Sequence, residues 1–92
     1  MEFDWDEGNL KKVTTRFPIK VIEDFFLQAL IVVTDHVHSD IEPRLIAIGV
    51  GPGGRYMFVC YTLRKDKIRV ISARYMRPKE YLRYEKFKKE EL

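Results

Sequence analysis

The side chains of this sequence best suited to chemistry are cations. Arg55, Arg64, Arg69 and Arg74 fall on or beside two strand-like runs. Lys79, Arg83 and Lys86 follow at spacings of four and three, which is one face of a helix. Guanidinium groups bind phosphate through paired planar N–H donors, and lysines add mobile point charge. Tyr81 and Tyr84 lie three apart on a neighbouring face, where a ring can stack on a base. Residues 55–92 hold twelve basic and five acidic side chains, a net +7, whereas residues 1–54 hold five and nine, a net −4. That asymmetry is the footprint of a phosphate-rich partner. Strict alternation along a strand sends Arg69 and Arg74 to opposite faces, so these cations are not all expected in one site. The plainer account of the tail alone is a solvated helix whose tyrosines pack on a sheet.

The stretch 35–43, D-H-V-H-S-D-I-E-P, supplies groups for proton transfer. His38 and Glu42 are acid–base candidates, since both residue types titrate in a useful range when perturbed, and Arg44 follows as a cation or as Glu42's partner. His36 and His38 beside Asp35 and Asp40 lack the spacing of a zinc finger or of a helical zinc hydrolase. No metal and no cofactor are expected. Gly51-Pro52-Gly53-Gly54 lacks the Lys-Ser/Thr of a phosphate-binding loop and reads as a hairpin turn. The single cysteine, Cys60, cannot form an internal disulfide and is expected inside a buried strand, which suits a reducing, cytoplasmic setting.

These groups need elements to hold them. Ninety-two residues, 46% hydrophobic and 13% aromatic, suffice for one core and a single domain over 1–92. No apolar run is long enough to cross a bilayer, and the start M-E-F-D-W-D has no leader pattern, so a soluble protein is expected. Glu2 to Trp5 alternates like a short strand, and Asp4 or Asp6 is suited to cap a helix running through Lys12. Ile22, Phe25, Phe26, Ala29 and Leu30 have the spacing of a core-facing helix, with a boundary near Ala29 before the β-branched run Ile31 to Thr34. Arg44 to Val50, Tyr56 to Leu63 and Lys67 to Tyr75 read as strands, the last two joined at Lys65-Asp66. Pro78 suits the first residue of a closing helix. The order β-α-α-β-β-β-β-α predicts an α+β domain, a small, mostly antiparallel sheet with helices on one face.

With these residues in view, the chain resembles the BrnT family of bacterial type II toxins. The match runs through F-D-W-D-E-G-N-L-K-K, H-S-D-I-E-P-R, A-I-G, G-R-Y-M-F-V-C-Y-T-L-R, I-R-V-I-S-A-R-Y-M and K-E-Y-L-R-Y. The resemblance implies a fold similar to RelE-type ribonuclease toxins and a ribonuclease that arrests growth. It also implies a partner, a BrnA-like ribbon-helix-helix antitoxin, in a heterotetramer that represses its own promoter. Many relatives carry a Lys-His pair at the end of the first helix. Here the stretch is Lys12-Val13-Thr14-Thr15-Arg16-Phe17, without a histidine, and Arg16 is the candidate replacement.

Metal-independent RNA cleavage needs a base for the 2′-OH, cations on the pentacoordinate phosphate and an acid for the leaving 5′ oxygen. The resemblance puts Arg55 and Arg74 at positions like the phosphate-binding arginines of RelE-type toxins. His38 and Glu42 are then the acid–base pair, Arg44 a third cation, and Lys12, Arg16, Arg64, Arg83 and Tyr84 the RNA-binding surface. The rival reading is a catalytically degenerate relative that binds RNA or protein without cleaving it. No DNA-reading helix pattern is visible in this chain.

Overall fold

A computed structural model describes residues 1–37 and 42–91. Its order is α1 (Leu10–Thr14), α2 (Ile19–Phe25), β1 (Ile31–Thr34), β2 (Leu45–Val50), a 3-10 turn (Pro52–Gly54), β3 (Tyr56–Arg64), β4 (Lys67–Tyr75) and α3 (Pro78–Glu91). The four strands form one antiparallel sheet in the order β1-β2-β3-β4. The α+β expectation holds, with the N-terminal strand reduced to a single bridge. Phe3 pairs in parallel with Ile68, fixed by Asp4 N–H donating to the Ile68 carbonyl and Ile68 N–H donating to that of Glu2.

Register explains the two faces of the sheet. Met57, Val59 and Tyr61 alternate inward with Ala47, Val70 and Ala73 beside them, and close on Val13, Phe17, Ile22, Phe25 and Phe26 from the first two helices. Val59, Met57 and Ile22 are fully buried. Fully burying a side chain of this kind contributes about 1.5–3 kcal/mol, so this layer supplies most of the fold's driving force. Phe26 meets Tyr61 edge-on at 5.3 Å, and Phe3 meets Phe26 at 5.6 Å. Trp5 lies at the margin, its indole N–H donating to Glu23 at 3.0 Å.

Three local expectations are corrected. Asp6 does not cap α1 directly; its carboxylate accepts from Gly8 N–H at 2.8 Å, forming the turn that precedes the helix. Helix α2 ends at Phe25 rather than near Ala29, because Gln28 is needed elsewhere. Its amide donates to the Val50 carbonyl and accepts from the Val50 N–H, clasping the chain to the end of β2 and leaving Ala29 exposed. Nor do the helices share one face. Tyr56 and Phe58 alternate with buried Met57, so they face away from α1 and α2, and α3 packs there through Tyr81 and Tyr84 against Tyr56. Pro78 begins that helix only three residues after β4, too few to carry it round to the other side.

The turns behave as their residues require. Gly53 and Gly54 take φ of 70° and 76°, which side chains resist. Lys65 and Asp66 both adopt positive φ, the geometry of the tight two-residue hairpin whose twist matches the flanking strands. Among the described residues, no helix is long and apolar enough to cross a membrane.

Candidate functional site

The face of the sheet opposite the core is where the cations gather. Phe58 and Cys60 on β3 stand directly opposite Arg74 and Ser72 on β4, so all four point the same way. They floor an open groove of about 420 Å³, walled by Lys12 from α1, Asp35 after β1, Arg44 before β2, and Glu80 from α3. Lys12 and Arg74 also line an adjoining hollow with Thr15 and Arg16. The Asp35 N–H donates to the Arg44 carbonyl at 2.9 Å, extending the β1–β2 ladder and drawing the two walls together. Thr62, almost wholly buried, donates to the Pro43 carbonyl at 2.6 Å and so fixes the backbone that presents Arg44.

Arg74 has the most defined geometry. Its Nη1 and Nη2 each donate to a Glu80 oxygen at 2.7 Å, and the guanidinium lies 5.0 Å from the Phe58 ring centre. Glu80 also accepts from Arg77 N–H at 2.8 Å, closing the first turn of α3. The Arg74 hydrogen bonds hold the Glu80 carboxyl at a pKa of about 2, against an ordinary 4.5, despite partial burial. The same bonds raise Arg74's own pKa, so this ion pair is fixed in the charged form. Nη1 also donates to the Tyr75 carbonyl at 3.2 Å, so Nε and the second proton of Nη2 are the donors left for a phosphate.

Of the catalytic candidates named from the sequence, Arg74 and Arg44 meet in this groove. Arg55 does not line it. Its guanidinium sits 3.8 Å over the Tyr75 ring, and Tyr75 stands opposite Met57 and packs edge-on against Phe17, on the side covered by α1 and α2. Glu42 is bound to Arg64 rather than Arg44, at distances of 2.8 and 3.2 Å. That hydrogen bonding lowers the Glu42 pKa, which weakens it as a proton acceptor and holds Arg64 away from the groove. His38 lies outside the described residues. Among the RNA-binding candidates, Lys12 and Arg16 line the groove and its adjoining hollow. Arg83 and Tyr84 line a second hollow across Phe58.

Two expectations about strand faces also change. A register shift between Cys60 and Tyr61 leaves Ile71 as an extra residue on β4, which returns Arg69 to the side of Arg74. Arg69 is nonetheless committed to structure, bound to Asp6 at 2.9 and 3.0 Å and near Asp4 at 3.5 Å. Cys60 is half-buried in the groove floor rather than in the core, and burial pushes its thiol pKa up, away from thiolate chemistry. Phe58, Ser72 and Glu80 were not singled out by sequence reasoning. The hairpin closing at Lys65-Asp66 does not by itself find them: counted from that turn Arg74 would stand opposite Met57, and the extra residue Ile71 moves it to Phe58.

A family model described as a ribonuclease toxin, BrnT, of a type II toxin–antitoxin system matches residues 5–80. No curated protein and no solved structure matches the chain. Residues 81–92, which include most of α3, lie beyond the family match.

Proposed function

Since the chain belongs to the BrnT family of ribonuclease toxins from type II toxin–antitoxin systems, we propose that it cleaves RNA without a metal, using the groove around Arg74. The observation that carries this reading is the convergence of Lys12, Arg44 and Arg74 on one open face. Three cations from α1, the β2 entry and β4 match the charge that builds up on a phosphorane. Arg74 holds two non-bridging oxygens through its remaining N–H groups, with Glu80 and the Phe58 ring fixing its plane. His38, three residues after Asp35 in the chain, takes the 2′-OH proton as the 2′ oxygen attacks phosphorus. The P–O5′ bond breaks, and the leaving oxygen takes a proton from the Lys12 ammonium. The products are a 2′,3′-cyclic phosphate and a 5′-hydroxyl end.

The family also implies an antitoxin that neutralises the chain. A ribbon-helix-helix protein that represses the shared promoter suits this reading, as does growth arrest when the toxin is produced alone. The deciding experiment is RNA cleavage by wild type, Arg74→Ala and Arg74→Lys, each checked for a native circular-dichroism spectrum. The expected loss is on the order of 100-fold or more for both variants, since lysine restores charge but not the planar fork. Full activity in folded Arg74→Ala removes Arg74 from the site.

A further inference from the structure

Beside the Arg74 groove, across Phe58, lies a second hollow of about 290 Å³ between α3 and strands β1 and β2. Its walls are aliphatic and aromatic: Ile31, Val33, Ile48, Phe58, Tyr84 and Phe87. The two hollows share Phe58 and Glu80, so they form one continuous surface. Tyr84 is held edge-on by Tyr56 at 4.9 Å, and Tyr56 is in turn met by Tyr81 at 5.3 Å and by the Lys88 ammonium at 3.1 Å from its hydroxyl. Among the described residues no ring pairs with Phe87, which lines the hollow and is 44% exposed. Arg83 lines the same hollow and brings the charge.

We propose that this hollow is a nucleobase subsite: the base next to the phosphate held by Arg74 unstacks from its strand and inserts between Phe87, Tyr84 and Phe58. The inference rests on the phosphate reading of the Arg74 groove and adds the substrate class, single-stranded RNA. A nucleobase suits the hollow because it has two apolar faces and a polar edge. The faces match the aromatic and aliphatic walls, and the edge lies toward Arg83, whose N–H groups suit acceptors such as purine N7 or a carbonyl. Continuity with a cationic groove argues for a ligand that carries a phosphate beside its planar group. Paired RNA keeps its bases stacked and cannot supply one.

The test is equilibrium binding of two labelled strands, a 2′-O-methyl RNA hexamer of mixed sequence and an abasic strand of the same length, neither of which can be cleaved. Wild type is expected to prefer the base-bearing strand by about tenfold, within the range of one base stacked on an aromatic side chain. Phe87→Ala, at an exposed position that should not disturb folding, should erase that preference without weakening the abasic strand, and Phe87→Trp should restore it. Arg74→Ala should weaken both strands. A Phe87→Ala variant that keeps the preference, or loses both strands equally, overturns the subsite while leaving the Arg74 reading intact if the arginine effect persists. Equal affinity of wild type for the two strands overturns it as well. Wild type that binds neither strand overturns the phosphate reading and the subsite with it.

Discussion

Replacing Glu80 by glutamine tests the Arg74–Glu80 pair through its energy. Removing the charge leaves Arg74 without its counterion while nearly conserving shape. The fall of the Glu80 pKa from 4.5 to about 2 corresponds to a ceiling of ~3.4 kcal/mol at ~1.36 kcal/mol per pH unit. The Arg74 and Glu80 side chains are 33% and 26% exposed, so solvent screening reduces this to about 2 kcal/mol. Because the folded-state pKa lies below the unfolded one, this contribution is complete above about pH 5.5 and is lost as the pH falls through 4.5 toward 2. Urea unfolding of wild type and Glu80→Gln at several pH values reads it directly. The expected difference is about 2 kcal/mol at pH 7, shrinking to a few tenths near pH 2. A difference that does not change with pH, or no difference at pH 7, refutes the pairing as the source of the shift.

Other expectations follow from the same geometry. Arg44→Ala and Lys12→Ala should each weaken RNA binding across all sequences and reduce the salt dependence of log K by roughly 0.7 for each phosphate no longer neutralised, measured by fluorescence anisotropy from about 50 to 300 mM salt. Ile22→Ala, at a fully buried core position, should cost about 2–5 kcal/mol in thermal or urea unfolding. Asn9→Ala should cost about 1–3 kcal/mol in the same measurement, because the buried Asn9 amide donates to the carbonyls of both Asp4 and Val70 and joins the N-terminal turn to β4. Arg55→Ala should leave RNA cleavage within about threefold of wild type, since its guanidinium lies over Tyr75 rather than in the groove.

Where local chemistry decided structure, the sequence was easy to read. The hairpin Tyr56–Leu63 and Lys67–Tyr75 was legible because alternating apolar residues flank a Lys-Asp pair suited to positive φ. Pro78 marked the start of α3 for a similar reason. What stayed hidden depended on partners distant in sequence. Nothing near Gln28 announces that its amide will replace a strand neighbour of Val50, which is why α2 ended earlier than its apolar spacing suggested. The bulge at Ile71 reversed the facing of Arg69, and simple alternation has no means of detecting one extra residue. Basic residues could be counted, but their employment could not. Arg64 and Arg69 answer acidic groups from other parts of the chain, and Arg55 covers a tyrosine, while Arg44, Arg74 and Lys12 line the groove.

Metal-independent RNA cleavage through attack of the 2′ oxygen is tested most directly by the ends of the products. Purified protein would be incubated with a 3′-labelled RNA in excess chelator, and the fragments examined for 5′-hydroxyl and 2′,3′-cyclic phosphate ends. Cleavage undiminished by the chelator is expected, with fragments that accept a 5′ phosphate from polynucleotide kinase without prior dephosphorylation, and no products from Arg74→Ala. Fragments with 5′-phosphate ends, or cleavage abolished by chelator and restored by a divalent ion, would contradict this mechanism.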